Sequence, residues 1–389
     1  MTARRLVVLG AGPAQLGALR AARALGVTAI ACDKATDTLA LRLGLVDVHE
    51  RVSTFDAEGI ERVARAHGAN GLIAPGTDGP VRVAAAVAAR LGLPHPLSPE
   101  VAVRATDKLA QRAAFAADGV PQPALLDPSA PWSGPVVVKP SLAQGQRGLT
   151  RVTAADDLAP ALEHARRESR DGEALVEELV AGDEVTVNAF LQDGFHPIAV
   201  TDRERASAFG VATAHLYPAR SGEQQAIEVA EAACAALGVE HGPVYVQVVL
   251  APDGPRVMEV AARLGGGHDA ELCLSATGVD LASLAVRAAL GETIPADELA
   301  PRFRHGAIVR FLIGPPGELV AVDGVAEALA VPGVIDVQAY RRAGELLAAL
   351  AVGADRAGFV LAAGADRAGA EQAADRAAEL VRFRTLQVA

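Results

Sequence analysis

Short apolar runs alternate with amphipathic stretches through the first third of the chain. Residues 6–9, 28–32 and 72–75 read as strands, and the spacing of apolar positions over 15–25, over 57–67 and up to 91 reads as helices. That alternation predicts a parallel sheet covered by helices, a doubly wound α/β unit. Three prolines within 93–99 close it. A helix is predicted over 108–118, followed by a proline-rich connection over 120–135. From residue 136 the strands come in pairs: 136–139 with 148–152, 174–180 with 184–191, then 195–201. Pairs of this kind predict antiparallel sheets with helices on one side, an α+β arrangement. A helix over 223–237 leads into a hairpin, 244–250 and 256–261, whose connection holds an Asp-Gly turn. After Pro301 a further α+β unit runs to the end, with turns at 314–317 and Gly364 and an alanine-rich helix over 363–380. No internal repeat is present. The pattern divides the chain into regions 1–100, 101–300 and 301–389.

Composition narrows the picture. With 389 residues, 51% of them hydrophobic, the chain can bury two or three cores, and at 3% aromatic content those cores must be packed by aliphatic side chains. A net charge of -11 argues against a nucleic-acid partner and for small molecules. No run approaches the roughly 20 apolar residues of a membrane span, and the N-terminal residues lead straight into a strand, so a cytoplasmic protein without a membrane partner is expected. Cys32, Cys234 and Cys273 stand singly, which suggests buried small hydrophobes and neither a disulfide framework nor a zinc site. His49, His67 and His95 read as structural or solvent-facing.

One feature invites a different reading. Gly10-Ala11-Gly12 follows a strand, precedes a helix, and is followed by Asp33 at the end of the next strand, as in dinucleotide-binding folds. The third glycine is missing, because Gln15 stands there. A tight strand-to-helix turn explains the glycines, and its helix N-terminus can still receive a substrate phosphate or carboxylate.

Candidate chemistry concentrates in the middle region. Lys139 ends an apolar strand, either as an edge residue reaching solvent or as a cation facing a cleft. The small-residue turn after it, Ser141 to Gly148 with Gly145 between, offers backbone amides that can close over phosphates. Further on, Glu177, Glu178, Val180 and Glu184 place carboxylates and amides around a strand, a turn and the next strand. Such groups suit an adenine amine and a ribose diol, although a solvated surface would also account for Glu178. Gln247 and Glu259 stand on the two arms of the predicted hairpin, with Arg263 and then Gly265-Gly266-Gly267-His268 behind them. Oxygen donors beside a cation fit magnesium, which needs only one or two protein ligands when phosphates and waters supply the rest.

Taken in order, Asp107-Lys108, Lys139 with its glycine-containing loop, Glu177-Glu178-Leu179-Val180 with Gly182 and Glu184, Gln247, and Glu259-x-x-x-Arg263 resemble the ATP-grasp superfamily. The resemblance covers essentially the whole chain. It implies a doubly wound preATP-grasp domain over 1–100, a two-lobed ATP-grasp domain over 101–300, and a lid-like α+β region over 301–389 that completes the grasp. ATP and Mg2+ are the cofactors it implies. Lys108 and Lys139 would contact the phosphates under the loop of Ser141, Gly145 and Gly148. Glu177 and the Val180 backbone would hold adenine, with Glu178 counted among the nucleotide-binding residues, Glu184 the ribose, and Gln247 and Glu259 the metal. Arg263 and Glu259 would be catalytic. Arg203 and His215, in the segment 201–219 read as a loop that also carries Arg205 and Phe209, would select substrate together with Gly266 and His268; a solvated surface loop is the alternative for Arg203, Arg205 and His215.

Two positions depart from the family's common pattern. Gln247 stands where an acid is usual, as is similar to carbamoyl-phosphate synthetase, and Ala261 replaces the usual asparagine, which removes one ligand for a second magnesium. The Glu-x-Ala-Ala-Arg form is similar to the bacterial ligases that join unprotected L-amino acids. The resemblance therefore implies a carboxylate-amine ligase forming an amide or peptide bond through an acyl phosphate, acting on small-molecule carboxylates and amines, with a homodimer as the expected assembly. A purine-pathway ligase or carboxylase, whose N-terminal motif looks much like residues 10–17, and a catalytically silent ATP-binding regulator are the alternatives. A carbamoyl-phosphate-like synthetase fragment is disfavoured by the chain length.

Overall fold

The computed structural model describes residues 4–207 and 210–386. Its first sheet has the parallel order β3-β2-β1-β4, built from β1 (Arg5–Leu9), β2 (Thr28–Cys32), β3 (Val48–Glu50) and β4 (Gly71–Ile73). Between and beside these run α1 (Leu16–Ala24), α2 (Leu39–Arg42), α3 (Ala57–His67) and α4 (Gly79–Leu91), as the alternation requires. Two further helices follow, α5 (Pro99–Ala105) and α6 (Lys108–Ala117). Asp107 caps α6 by accepting from the amides of Leu109 and Ala110 at 2.9 and 3.2 Å, which sets Lys108 as the first helical residue.

A small antiparallel sheet of order β5-β8-β6-β7 comes next, made of β5 (Leu125–Leu126), β6 (Val136–Pro140), β7 (Thr150–Val152) and β8 (Ala174–Glu178), with α7 (Leu158–Glu168) packed on it. Period-two alternation sends Val136, Val138 and Val176 toward α7, and so turns Val137, Lys139 and Glu177 to the opposite face. The main sheet begins with β9 (Asp183–Leu191), β10 (Phe195–Arg205) and β11 (Ala212–Tyr217), then α8 (Glu223–Leu237), β12 (Gly242–Ala251) and β13 (Gly254–Ala261). Along β9 the residues Val185, Val187, Ala189 and Leu191 share a core with Ala226 and Ala230 of α8, while Thr186 and Asn188 take the other side. Helix α9 (Asp269–Thr277) lies between the main sheet and α10 (Leu281–Ala289), which packs against the first domain's α1.

The C-terminal region contributes β14 (Gly306–Leu312), β15 (Gly317–Asp323), α11 (Val325–Leu329), β16 (Val334–Ala339), β17 (Leu346–Leu347), β18 (Gly358–Gly364), α12 (Arg367–Leu380) and β19 (Arg382–Leu386). Strands β14, β18 and β16 extend the main sheet to the order β13-β12-β9-β10-β11-β14-β18-β16. Ala370, Ala373, Ala374 and Ala377 of α12 form the apolar stripe that covers this end.

The segment 201–219 is not the loop expected from sequence. Strand β10 continues to Arg205 and turns back as β11, with Arg203 opposite His215 and His215 opposite Val309 of β14. Charged side chains at 202–205 hid the first half of this hairpin, because they break the apolar alternation that marks a half-buried strand. Phe209 lies outside the described residues. Helix α9 also escaped the pattern, since its apolar and polar residues follow no clear period of 3.6, and α10, although amphipathic, was passed over with it.

Candidate functional site

Two clefts meet between the small sheet, the main sheet and the first domain. The first, of 370 Å³, has an apolar slot of Val137, Leu179, Val249 and Met258, with Val180 and Gly182 at its rim. Lys108, Lys139, Arg203 and Arg205 bring positive charge to it, and Glu184, Gln247 and Glu259 bring oxygen donors. Gln144 to Arg147 of the 141–149 loop form one wall, and the same four residues, with Arg203 and Gln247, also line the second cleft.

The lysines are held by buried acids. Lys139 Nζ lies 2.7 Å from Glu177, and Arg112 Nε donates to the same carboxylate at 2.6 Å. Burial lowers the Lys139 pKa, and Glu177 opposes that fall. Burial pushes Glu177 upward, but Lys139 and Arg112 hold it below its ordinary value, so the carboxylate stays ionised. Lys108 Nζ donates to the Ala143 carbonyl at 2.7 Å and sits 3.0 Å from Glu259, tying the loop to the hairpin. Gln247 and Glu259 are direct cross-strand partners on β12 and β13, next to a register shift that turns both toward the first cleft. Burial raises the Glu259 pKa, yet Lys108, Lys139 and Arg263 together bring it below the usual value. The carboxylate is thus ionised and available to a cation.

The second cleft, of 390 Å³, is lined by Arg263, His215, Tyr245, Gly266, Gly267 and Tyr340, with Ala14 and Gln15 of the first domain across from them. Arg263 Nε donates to Asp78 at 2.8 Å, and the Asp78 amide donates to Gln144 at 2.6 Å. His215 Nδ1 donates to Asp269 at 2.8 Å, which leaves Nε2 as the unprotonated nitrogen of a neutral ring. Burial lowers the His215 pKa, opposed by Asp269. Gly267 is required beside it: a Cβ there would lie 2.6 Å from His215 Cε1.

Of the residues singled out from sequence, Lys108, Lys139, Gly145, Glu177, Val180, Glu184, Gln247 and Glu259 line the first cleft, and His215, Gly266 and Arg263 line the second. Arg203 faces both, paired with Glu184 at 2.5 Å, and Arg205 pairs with the same carboxylate at 2.9 Å. Four positions depart from expectation and line neither cleft. Ser141 is buried beneath the loop and donates to Asp171 at 2.7 Å. Gly148 has φ 68° and packs so that a Cβ would meet the Glu168 side chain at 2.8 Å, a turn requirement and not a phosphate contact. Glu178 follows Glu177 along β8 and so faces the other side of the sheet, where it lines a shallow cavity with Pro135 and Asp253. His268 is buried, stacked on Phe359 at 3.7 Å and bonded to the Tyr340 hydroxyl at 2.6 Å. Glu177 is also spent between two cations and does not present a free carboxylate to a base.

Sequence reasoning missed Arg112, Asp78, Asp269 and Arg356. Arg112 stands four residues after Lys108 on one helix face, a spacing that could have revealed it. Asp78 and Asp269 are separated in sequence from the side chains they hold, Arg263 and His215, so only the fold joins them. Among the described residues no group of three or more His, Cys, Asp or Glu side chains could hold a metal. Glu259 and Gln247 supply two oxygen donors, which fits one magnesium completed by phosphates and water, and Ala261 offers nothing to a second. No helix among the described residues is long and apolar enough to cross a membrane.

Residues 132–271 match the family model of the ATP-grasp domain, and residues 310–386 match that of the L-amino acid ligase C-terminal domain 2. The uncharacterized protein y4rH of Sinorhizobium fredii is 31% identical over 308 residues, covering 74% of this chain and 63% of that protein. Dapdiamide A synthase of Enterobacter agglomerans is 26% identical over 230 residues, 54% of this chain and 53% of its own length. The matched part is therefore less than two thirds of either relative. Among solved structures, the L-amino acid ligase from Bacillus licheniformis superposes with a TM-score of 0.84 at 19% identity, covering 99% of each chain, a likeness of fold. The chain thus carries an ATP-grasp domain over residues 132–271 and, behind it, an L-amino acid ligase C-terminal domain 2 over residues 310–386.

Proposed function

We propose that the chain is an ADP-forming carboxylate-amine ligase that binds Mg-ATP in the first cleft and its acid and amine in the second. The observation that carries this reading is the junction of the clefts, where Gln247, Arg203 and the 141–149 loop line both. A group bound in one cleft is thereby brought next to a group bound in the other. In this reading the apolar slot of Val137, Leu179, Val249 and Met258 receives the base, Glu184 faces the ribose, and Lys108 and Lys139 neutralise phosphate oxygens. Glu259, with Gln247 opposite, would hold the magnesium, whose positive charge offsets that of the phosphates. Arg263, oriented by Asp78, faces the acid and spreads charge as its carboxylate oxygen takes the terminal phosphoryl group. His215, neutral and oriented by Asp269, supplies the base that accepts a proton from the attacking amine.

The C-terminal match favours an amino-acid ligase over a purine-pathway enzyme, and dapdiamide A synthase among the relatives points the same way. Lys139→Ala is expected to weaken ATP binding by roughly two powers of ten, the loss of charge-assisted hydrogen bonds to phosphate. Glu177 keeps Arg112 as partner in that variant, so the fold should persist. Isothermal calorimetry with Mg-ATP checks this, and an unchanged affinity would remove the nucleotide from this cleft.

A further inference from the structure

The walls of the second cleft carry Arg147, Arg203, Arg263, Arg341 and Arg356, and neither an aspartate nor a glutamate. Two of these cations already have counter-ions, Arg203 in Glu184 and Arg263 in Asp78. Arg356 has none within 4.0 Å among the described residues, although it is half-buried. Its guanidinium carbon lies 3.5 Å from the centre of the Phe311 ring, and its Nε and Nη2 both donate to the Ala212 carbonyl, at 3.1 and 2.7 Å. Ring and carbonyl fix the plane of the guanidinium, and Nη1 is left without a hydrogen-bond partner among the described residues. Burial brings its pKa down to about 10, so it remains charged at neutral pH.

A cation fixed by a ring and a backbone carbonyl but lacking a counter-ion is prepared for an anionic ligand. That ligand is not the nucleotide, because Arg356 lines the second cleft and not the first. Nor is it the carboxylate oxygen that reacts, if Arg263 serves that group. We infer that Arg356 is a specificity-determining residue that seats a second, non-reacting carboxylate of the substrate pair; this rests on the ligase reading above. The carboxylate has two possible sources: a dicarboxylic acid that is activated at its other end, or an α-amino acid acting as the amine.

ADP release by the full chain with Mg-ATP, measured over two series, separates the sources. In the first, hydroxylamine is the amine, and succinate, fumarate and glutarate are each compared with their monoamides. In the second, amino acids are compared with their amides at a saturating acid. In one series the member keeping the extra carboxylate should have the higher kcat/KM by about tenfold or more, the worth of a charge-assisted hydrogen bond. Arg356→Ala should abolish that preference through KM, with the KM for ATP unchanged, and Arg356→Lys should restore part of it. Loss in the first series assigns the seat to the acid, and loss in the second assigns it to the amine. A preference that survives Arg356→Ala, or a wild type that uses the amides equally well, overturns the inference. Failure of the ligase reading shows separately, as a wild type that does not bind Mg-ATP in calorimetry.

Discussion

Glu177 is only 1% exposed and balances two buried cations at once, Arg112 and Lys139. Removing it would leave both without a counter-ion in a dry environment. Glu177→Ala is therefore expected to destabilise the protein by about 3–5 kcal/mol in urea unfolding, the cost of breaking a buried charge pair from one side. A loss below about 1 kcal/mol would mean that the triad is hydrated and exposed in solution. His95 is expected to govern part of the acid response. Burial takes its ring from 6.5 down to about 4, so the unfolded chain binds a proton in a range where the folded one does not. The stability it contributes is complete above about pH 6.5 and is lost as pH falls through 4, by up to about 3 kcal/mol. His95→Gln should flatten the stability profile across that window, and an unchanged profile would show that the ring is not desolvated. At this scale the sequence was a partial guide. Lys139 and Glu259 were legible because a charge at the end of an apolar strand stands out. Ser141 and His268 misled because polarity alone does not say which way a side chain turns. Arg356 drew no attention, as it sits in a stretch with no periodicity.

The hairpin of β12 and β13 carries the candidate metal ligands through its register. Gln247 faces Glu259 across the pair, and the shift beside Gln247 orients both toward the cleft. If Glu259 is the charged donor, Glu259→Gln should nearly eliminate turnover, while Gln247→Glu should keep part of it because the new carboxylate is still an oxygen donor. Steady-state rates over a magnesium titration check the ranking, and the reverse order would put the metal elsewhere. The hairpin was readable from its Asp-Gly turn and alternating residues. The β10–β11 hairpin was not, because Arg203, Arg205 and His215 are charged or polar where a strand pattern requires apolar side chains.

In the whole molecule, the first cleft is lined from within residues 101–300, whereas the second, continuous with it, draws on all three regions. Gln15 and Asp78 come from the first domain, the loop and Lys139 from the small sheet, Glu259 and His215 from the main sheet, and Tyr340 and Arg356 from the C-terminal region. The alternation of strand and helix announced the first domain, and paired strands announced the second. The extension of the main sheet by β14, β18 and β16 could not be read in advance, since strand order between segments far apart in sequence is a matter of tertiary packing and not of local pattern.

In the ligase reading the energy of ATP is stored on the substrate as an acyl phosphate, and neither cleft has a Ser or Cys among its lining residues. The most direct measurement is the product pair formed when an accepted acid, ATP and magnesium are supplied with hydroxylamine in place of the amine, the acid carrying ¹⁸O in its carboxylate. The account expects ADP, a hydroxamate, and inorganic phosphate that contains one oxygen from the acid. AMP with pyrophosphate, and the label in AMP, would contradict it.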